Sequence, residues 1–240
     1  MKLGLLVLLF AFQSFAATTL QPTCHQGQQI HHTYYSLCFD PDHKQSKWAF
    51  HKLTKEQIQG QQSRTNNFRV DPKVLENSPE LKDYARSGYD RGHLVPAADM
   101  KLNRTSMSES FYLSNMSPQT PSFNRGVWKR IENLTRKWGE KYAEVFVATG
   151  PVLEAALDTI GSGVSIPRFF YKIIFRNTPN NKSMIAFLIE NKNSKLDLKT
   201  FLTTVDDIEI KTGIDFFKDL DYNTQNELES KIDLNSWPYL

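Results

Sequence analysis

Six short runs rich in aromatic and β-branched residues are the feature that most constrains the fold of this chain. Each run is bounded by Gly, Pro or Asn, which is typical of strands that end in turns. A Thr-Pro-Asn-Asn segment separates the last two runs and predicts an antiparallel hairpin. The runs are residues 34–39, 48–53, 111–114, 144–149, 169–175 and 184–190.

Two further segments have the patterns of helices. In the first, a start signal at Pro121 and a stop signal at Gly139 enclose one apolar stripe at helical spacing, formed by Val127, Ile131, Leu134 and Trp138. The second, residues 205–212, follows a capping Thr and precedes a Gly. Strands joined by hairpin turns and mixed with helices predict an α+β fold with a mixed, largely antiparallel central sheet flanked by helices.

The one long apolar stretch lies at the N-terminus. A basic residue at Lys2, an apolar centre and small residues before Ala17 are typical of a secretory signal peptide. The stretch is shorter than the roughly 20 residues of a membrane span, and an uncleaved N-terminal anchor is the alternative. We predict a signal peptide at residues 1–16 and a single domain at residues 17–240, a length that suits one domain.

Export would place Cys24 and Cys38 in an oxidising compartment, where a nearby pair of cysteines usually forms a disulfide. A metal site that also uses His25, His31 and His32 is the alternative.

The net charge of +3 is too weak to diagnose a nucleic-acid partner by itself. Its distribution is uneven, because residues 122–142 carry +4 and residues 206–233 carry −6. The basic segment is suited to facing a polyanion, and a solvated helix face is the alternative.

The tetrapeptide Asp90-Arg91-Gly92-His93 holds residue types that suit phosphate chemistry. On an extended strand alternate side chains share a face, so Arg91 and His93 would point the same way. Arg binds an oxyanion through two N–H donors, His exchanges a proton near neutral pH, and Gly allows close backbone approach. A structural Asp–Arg pair beside a surface His is the alternative.

Further motifs follow in a defined order. Residues 111–119 read FYLSNMSPQ, Asn124 lies 31 positions after His93, and Glu132 lies eight beyond Asn124. Together with residues 145–151, 166–170 and 205–217, this pattern resembles the DNA/RNA non-specific endonucleases of the ββα-metal type. That family includes endonuclease G and secreted bacterial nucleases, and the resemblance covers residues 45–220.

The resemblance implies roles for the catalytic residues. His93 is expected to be the general base that removes a proton from the attacking water. Asn124 is expected to be the single protein ligand of Mg²⁺, for which Mn²⁺ is a candidate substitute. Glu132 would orient a water of the metal, and Arg91 would clamp the phosphate. Asp90 and Gly92 are interpreted as structural residues.

Substrate binding is assigned to five residues: Arg64, Asn115, Gln119, Arg125 and Lys129. Arg64 and Arg69 are alternatives for a phosphate contact upstream of His93, and the pattern favours Arg64. Asn115 and Gln119 are expected to shape the site. Arg125 and Lys129 belong to the basic segment and would lie beside the scissile phosphate.

The spacing of Asn124 and Glu132 does not fit a regular helix well. Eight residues separate them by about 12 Å along the axis and about 80° around it, which is long for one shared water shell. The alternatives are a helix N-cap for Asn124 and an i,i+4 partner of Arg136 for Glu132.

We predict a secreted or periplasmic, metal-dependent endonuclease that cuts single- or double-stranded DNA and RNA without sequence preference, leaving 5′-phosphate and 3′-hydroxyl ends. No membrane partner is expected after signal removal. An inhibitor protein is a candidate partner, and the sequence leaves monomer and homodimer open. The alternatives are a catalytically silent nucleic-acid binder, a metal phosphodiesterase for small substrates, and a structural exported protein.

Overall fold

The computed structural model describes residues 20–178 and 181–240, so the predicted signal peptide at residues 1–16 lies outside the described residues. The described strands, β1 to β11, are Gln28–His31, Tyr35–Asp40, Gln45–Thr54, Asp90–His93, Met116–Gln119, Glu144–Pro151, Thr159–Ile160, Val164–Ser165, Phe169–Thr178, Asn181–Glu190 and Leu202–Thr203. The described helices, α1 to α7, are Lys55–Gln59, Leu81–Tyr84, Arg104–Glu109, Pro121–Phe123, Lys129–Tyr142, Val205–Thr212 and Tyr222–Glu229.

Seven strands form one antiparallel sheet in the order β1-β2-β3-β6-β9-β10-β11. Strand β6 illustrates why both faces of this sheet are buried, since alternate side chains point to opposite sides. Val145 and Val147 join the core that contains the apolar stripe of α5. Phe146 and Ala148 join the core that contains buried residues of α6 and α7. The sheet is therefore the middle layer between two layers of helices.

Strands β4 and β5 pair outside the main sheet and present the predicted catalytic segment. They are antiparallel, with Asp90 opposite Gln119 and His93 opposite Met116. The helical segment 121–142 follows β5 directly and completes a strand-strand-helix unit. The predicted α+β fold, with a largely antiparallel sheet and a ββα unit, is confirmed.

Five of the six strand-like runs are strands, and β9 and β10 form the predicted hairpin. The prediction of a strand at residues 111–114 is wrong. Residues Leu113–Asn115 form a 3₁₀ turn, because the backbone of this segment bonds to a loop residue rather than to a sheet strand. Leu113 N donates to Arg69 O at 2.9 Å, and Arg69 N donates to Phe111 O at 3.3 Å.

The predicted helix at residues 205–212 is confirmed. Thr204 Oγ1 accepts from Asp207 N, and Gly213 ends the helix in the left-handed region at φ 67°. The predicted stop of the first helix at Gly139 is wrong, because α5 continues to Tyr142. Gly139 packs closely on a neighbouring helix instead, since a Cβ there would lie 2.8 Å from Ile58 Cδ1.

Cys24 and Cys38 form the predicted disulfide, with their Cα atoms 5.5 Å apart. The bond ties the segment before β1 to the buried strand β2, and it removes both sulfurs from the alternative metal site. Within residues 20–178 and 181–240, no helix is long and apolar enough to cross a membrane.

Candidate active site

Strand β4 places Arg91 and His93 on one face, as strand alternation predicts. The guanidinium carbon of Arg91 lies 4.1 Å from the centroid of the Phe68 ring. The His93 ring meets Phe68 edge-on at 5.7 Å and Phe111 at 5.0 Å between centroids. These aromatic contacts hold the imidazole of His93 in one orientation.

Gly92 is required by the packing of the paired strand. A Cβ at this position would lie 2.2 Å from Cδ of Gln119. Gln119 is fully buried, and neither of its amide atoms has a hydrogen-bond partner among the described residues. This burial differs from the prediction that Gln119 contacts substrate. The side chain instead packs against Gly92 and so supports strand β4.

Asn115 is also fully buried, which differs from its predicted role in substrate binding. Its Oδ1 accepts from Val95 N at 2.9 Å, and its Nδ2 donates to Val95 O and Ser110 O. These three bonds fix the chain just after His93, so Asn115 shapes the site without facing it.

The two upstream arginines have different surroundings. The guanidinium carbon of Arg64 lies 4.7 Å from the centroid of the Phe111 ring, on which His93 also packs. Arg69 stacks on Tyr112 at 3.9 Å and donates to Ser108 O at 2.8 Å. The structure thus places Arg64 beside His93 and uses Arg69 to hold a neighbouring loop.

The surroundings of His93 lower the pKa of its imidazole. Burial and then repulsion by Arg64 and Arg91 lower the pKa of His93 to about 3. The Nε2 atom of His93 is shut off from solvent and has no hydrogen-bond partner in the described part of the chain. The imidazole is therefore neutral near pH 7, and one ring nitrogen is available to accept a proton.

Asp90 organises the downstream side of the site. Its carboxylate accepts from Asn124 Nδ2 at 2.9 Å and from Arg125 Nε and Nη2 at 2.9 and 2.7 Å. Burial would raise the pKa of Asp90, but the hydrogen bonds from Arg125 and Asn124 outweigh it and lower that pKa. Arg125, predicted to bind substrate, is thus already paired, although its side chain remains mostly exposed.

The helix that carries Asn124 is interrupted, so the separation from Glu132 calculated for a regular helix does not apply. Residues Asn124–Trp128 form a wide π-type turn between α4 and α5, with non-helical angles at Gly126. Such turns are frequent at functional sites. Asn124 itself has helical angles and bonds to Asp90, so the alternative of an N-cap is wrong.

Glu132 lies half-buried in the first turn of α5. Burial raises its pKa to about 7, against the opposing attraction of Lys172 and Arg136. Arg64 contributes to that pKa as well as to the pKa of His93, so it lies near both groups. The alternative pairing with Arg136 is not formed, because Arg136 Nη1 bonds to Asp99 Oδ1 at 2.7 Å.

A buried group of charges behind Glu132 was missed by the sequence interpretation. Lys172 Nζ donates to Thr149 Oγ1 at 2.5 Å, and burial lowers its pKa to about 8. Asp99 joins Arg136 to the buried His51, whose Nε2 lies 3.2 Å from Asp99 Oδ2. A Lys inside the otherwise apolar run 169–175 was the available signal for this group.

The polar atoms around Asn124 suit a divalent metal. A carboxylate can only accept, so the bond from Nδ2 to Asp90 assigns the amide and leaves Oδ1 as a hard oxygen donor. The Glu132 carboxylate accepts no hydrogen bond from the described residues, although it is half-buried. Lys129 is exposed, and its contact with substrate stays a prediction.

Comparisons with known proteins agree on one family. The sequence profile described as DNA/RNA non-specific endonuclease matches residues 16–223. The mitochondrial nuclease EXOG of Danio rerio is 31% identical over 219 residues, covering 82% of this chain and 63% of that protein. Nuclease C1 of Cunninghamella echinulata var. echinulata is 32% identical over 213 residues, covering 81% of this chain and 84% of that protein.

A solved structure gives the same result at the level of the fold. The crystal structure of the EndoG/EndoGI complex, which describes the mechanism of EndoG inhibition, superposes with a TM-score of 0.76 at 28% identity. The match covers 83% of this chain and 89% of that one.

The prediction of a secreted or periplasmic protein is wrong on these comparisons. The zebrafish relative is named a mitochondrial nuclease, and relatives in Schizosaccharomyces pombe and Homo sapiens also have mitochondrial names. The apolar N-terminal stretch that motivated the prediction lies outside the described residues.

Proposed function

This chain belongs to the DNA/RNA non-specific endonuclease family, and on that premise we propose that it is a Mg²⁺-dependent endonuclease acting on DNA and RNA. The observation that carries the proposal is the geometry around His93, which packs on Phe68 and Phe111, the same two rings that carry Arg91 and Arg64. The lowered pKa of the imidazole agrees with this geometry. The chain spans 63% of the length of the zebrafish relative.

Arg64 and Arg91 bind and orient the scissile phosphate in this proposal. Both guanidiniums have one face on an aromatic ring. Arg64 Nε donates to Asn66 Oδ1 at 2.7 Å, so its two Nη groups and the edge of Arg91 are left for phosphate oxygens. A bound phosphate anion would offset their repulsion of His93 and raise its pKa. The base would thus gain proton affinity at the moment when substrate is in place.

His93 accepts the proton of the attacking water. Since Nε2 is shut off from solvent, we expect Nδ1 to meet that water. Asn124 Oδ1 would hold a divalent ion, with Asp90 orienting the amide and Glu132 accepting from water nearby. When bound, Mg²⁺, or Mn²⁺ in its place, would stabilise negative charge on the phosphate and the leaving 3′ oxygen. The expected products have 5′-phosphate and 3′-hydroxyl ends.

The contacts available to substrate are cationic side chains suited to the phosphate backbone, which supports cleavage without sequence preference. Lys129 is exposed and is a candidate contact for substrate. Arg125 would contact substrate while it is paired with Asp90, because its side chain is mostly exposed. The names of the relatives favour a mitochondrial location for this chain. An inhibitor protein stays a prediction, supported by the inhibited EndoG complex that shares this fold.

The test is cleavage of closed-circular plasmid DNA and of RNA by the unsubstituted protein and by His93→Ala, with Mg²⁺ and with EDTA. Loss of a general base is expected to slow cleavage roughly 10²- to 10⁴-fold while leaving DNA affinity unchanged. His43→Ala is the matched control, because His43 bonds to Ser165 and has no place in the proposed site. Unchanged cleavage by His93→Ala, or full activity in EDTA, would refute the proposal.

A further inference from the structure

Helices α6 and α7 bring three carboxylates together in the acidic C-terminal segment. Asp206 and Glu209 lie three positions apart on α6, a spacing that puts them on one helix face. Glu229 lies at the end of α7. One oxygen of each carboxylate lies within 4.8 Å of the corresponding oxygens of the other two. Nothing in the proposed nuclease mechanism uses this group.

Glu229 is the unusual member, because its side chain is 3% exposed and its Oε1 has no hydrogen-bond partner in the described part of the chain. Burial and then repulsion by Glu209, Asp206 and Asp215 raise its pKa to about 9. None of the three carboxylates forms an ion pair with a described Lys, Arg or His. A buried carboxylate that lacks a cation and leaves one oxygen unpaired is costly, so the arrangement calls for a ligand.

Hydrogen bonds hold Glu209 and the connection between α6 and α7 in place. Glu209 Oε1 accepts from Phe216 N at 2.7 Å. The amide of Gln225 donates to Asp215 Oδ1 and to Phe216 O, both at 3.1 Å. The connection between α6 and α7 is therefore fixed by its own backbone and side-chain bonds, and each of the three carboxylates keeps an oxygen that can act as a ligand.

We infer that Asp206, Glu209 and Glu229 form a structural site for a divalent cation, with Ca²⁺ as the ion. Their oxygens lie within 4.8 Å of one another, so a single ion can contact all three. Ca²⁺ accepts several carboxylates in a flexible geometry, whereas Mg²⁺ demands a near-ideal octahedron, keeps several waters and is seldom held by an all-protein site. Water would complete the coordination. The ion would connect α7 to α6 on the face of the sheet where both helices pack.

The competing account is a proton in place of the ion, held by Glu229 and shared with Glu209. The two accounts differ in thermal unfolding of the full chain, first in EDTA and then with Ca²⁺ added. At Ca²⁺ about 100 times above its Kd, Tm is expected to rise roughly 5–10 °C. The same rise is expected in Asn124→Ala, which removes the proposed nuclease metal ligand, and in Glu227→Gln, an exposed neighbour on α7.

Glu229→Gln and, as a milder second variant, Asp206→Asn are expected to shift by less than about 2 °C with Ca²⁺. Calorimetric titration of Asn124→Ala should show one Ca²⁺ site that Glu229→Gln in the same background removes. Plasmid cleavage by Glu229→Gln with Mg²⁺ should stay within about twofold, so this test is separate from that of the nuclease. No Ca²⁺ effect, an equal effect in Glu229→Gln, or equal stabilisation by Mg²⁺ would overturn the inference.

Discussion

The pKa of His93 is lowered first by burial and then by two arginines, one of which lies far from it in sequence. Arg64 is 29 positions upstream, yet it shares the Phe111 ring with the imidazole and repels its protonated form. Arg91 acts from the same strand through its contact with Phe68. The proposed base is therefore kept neutral by its burial and, in addition, by two groups that are also the proposed phosphate ligands. This arrangement would link substrate binding to proton transfer.

Substitution of the two upstream arginines should have unequal effects. Arg64→Ala is expected to lower kcat/KM about 10- to 100-fold, the range for losing a hydrogen bond to a charged group. It should also raise the pKa of His93 from about 3 toward 6.5, because a repelling charge is removed. The acid limb of kcat/KM would then move to higher pH. Kinetics across pH and an NMR titration of the imidazole measure both effects.

Arg69→Ala is the matched control, since its guanidinium is already held by Tyr112 and Ser108. A change of less than about threefold in kcat/KM is expected, because no phosphate contact is removed. A larger loss in Arg69→Ala than in Arg64→Ala would reverse the assignment of the two residues.

Two elements create the site by departing from regular structure. The β4–β5 pair stands apart from the main sheet, and its close approach depends on Gly92 lying over Gln119. The wide turn at Asn124–Trp128 separates α4 from α5 and lets Asn124 bond to Asp90 on β4. These two irregularities join the strand that carries His93 to the helix that carries Asn124.

Gly92→Ala should disturb the strand pair because the new methyl group meets a buried side chain. Overpacking of this kind destabilises proteins by about 1–3 kcal/mol, or roughly 2–10 °C in Tm for this size. Gln119→Ala in the same chain should recover part of that loss, since it removes the clashing atoms. Thermal unfolding of the two single variants and the double variant measures the coupling. Simple additivity would show that the two residues do not meet.

On the scale of the whole molecule, the chain ends by closing the core around α5. Trp237 is 1% exposed and meets Trp138 at 4.8 Å between ring centroids. Its Nε1 donates to Met184 O, while Trp138 Nε1 donates to Pro238 O. The last residues therefore connect α5 to the edge region of the sheet, beyond the segment in which the family resemblance was found.

Trp237→Ala is expected to remove about 3–5 kcal/mol of stability, since the loss of a large buried aromatic side chain leaves a cavity and removes the hydrogen bond to Met184 O. The corresponding fall in Tm is at least about 6 °C. Tyr239→Ala is the control, because Tyr239 is exposed and lies two positions away. Similar stability of both variants in thermal unfolding would mean that the C-terminal segment does not hold the core.

Local patterns in the sequence were sufficient to predict most of the main strands, one helix and the family of this protein. Short runs rich in aromatic and β-branched residues, with turn signals between them, predicted the main strands and their hairpin, because composition and turn signals are properties of adjacent residues. Capping residues predicted the helix at 205–212. The disulfide was predicted from two nearby cysteines and from export, and it is present although the export prediction is wrong. The motif from Asp90 to His93, followed by Asn124 and Glu132, was enough to indicate the family.

Tertiary structure alone decided how the side chains of the site are used. Burial assigned Asn115 and Gln119 to support roles, and the contacts of Phe111 and Tyr112 separated Arg64 from Arg69. The stop signal at Gly139 failed because the glycine is needed for contact with another helix. Desolvation and long-range charge, which set the pKa values of His93, Glu132 and Lys172, arise only when distant segments pack together.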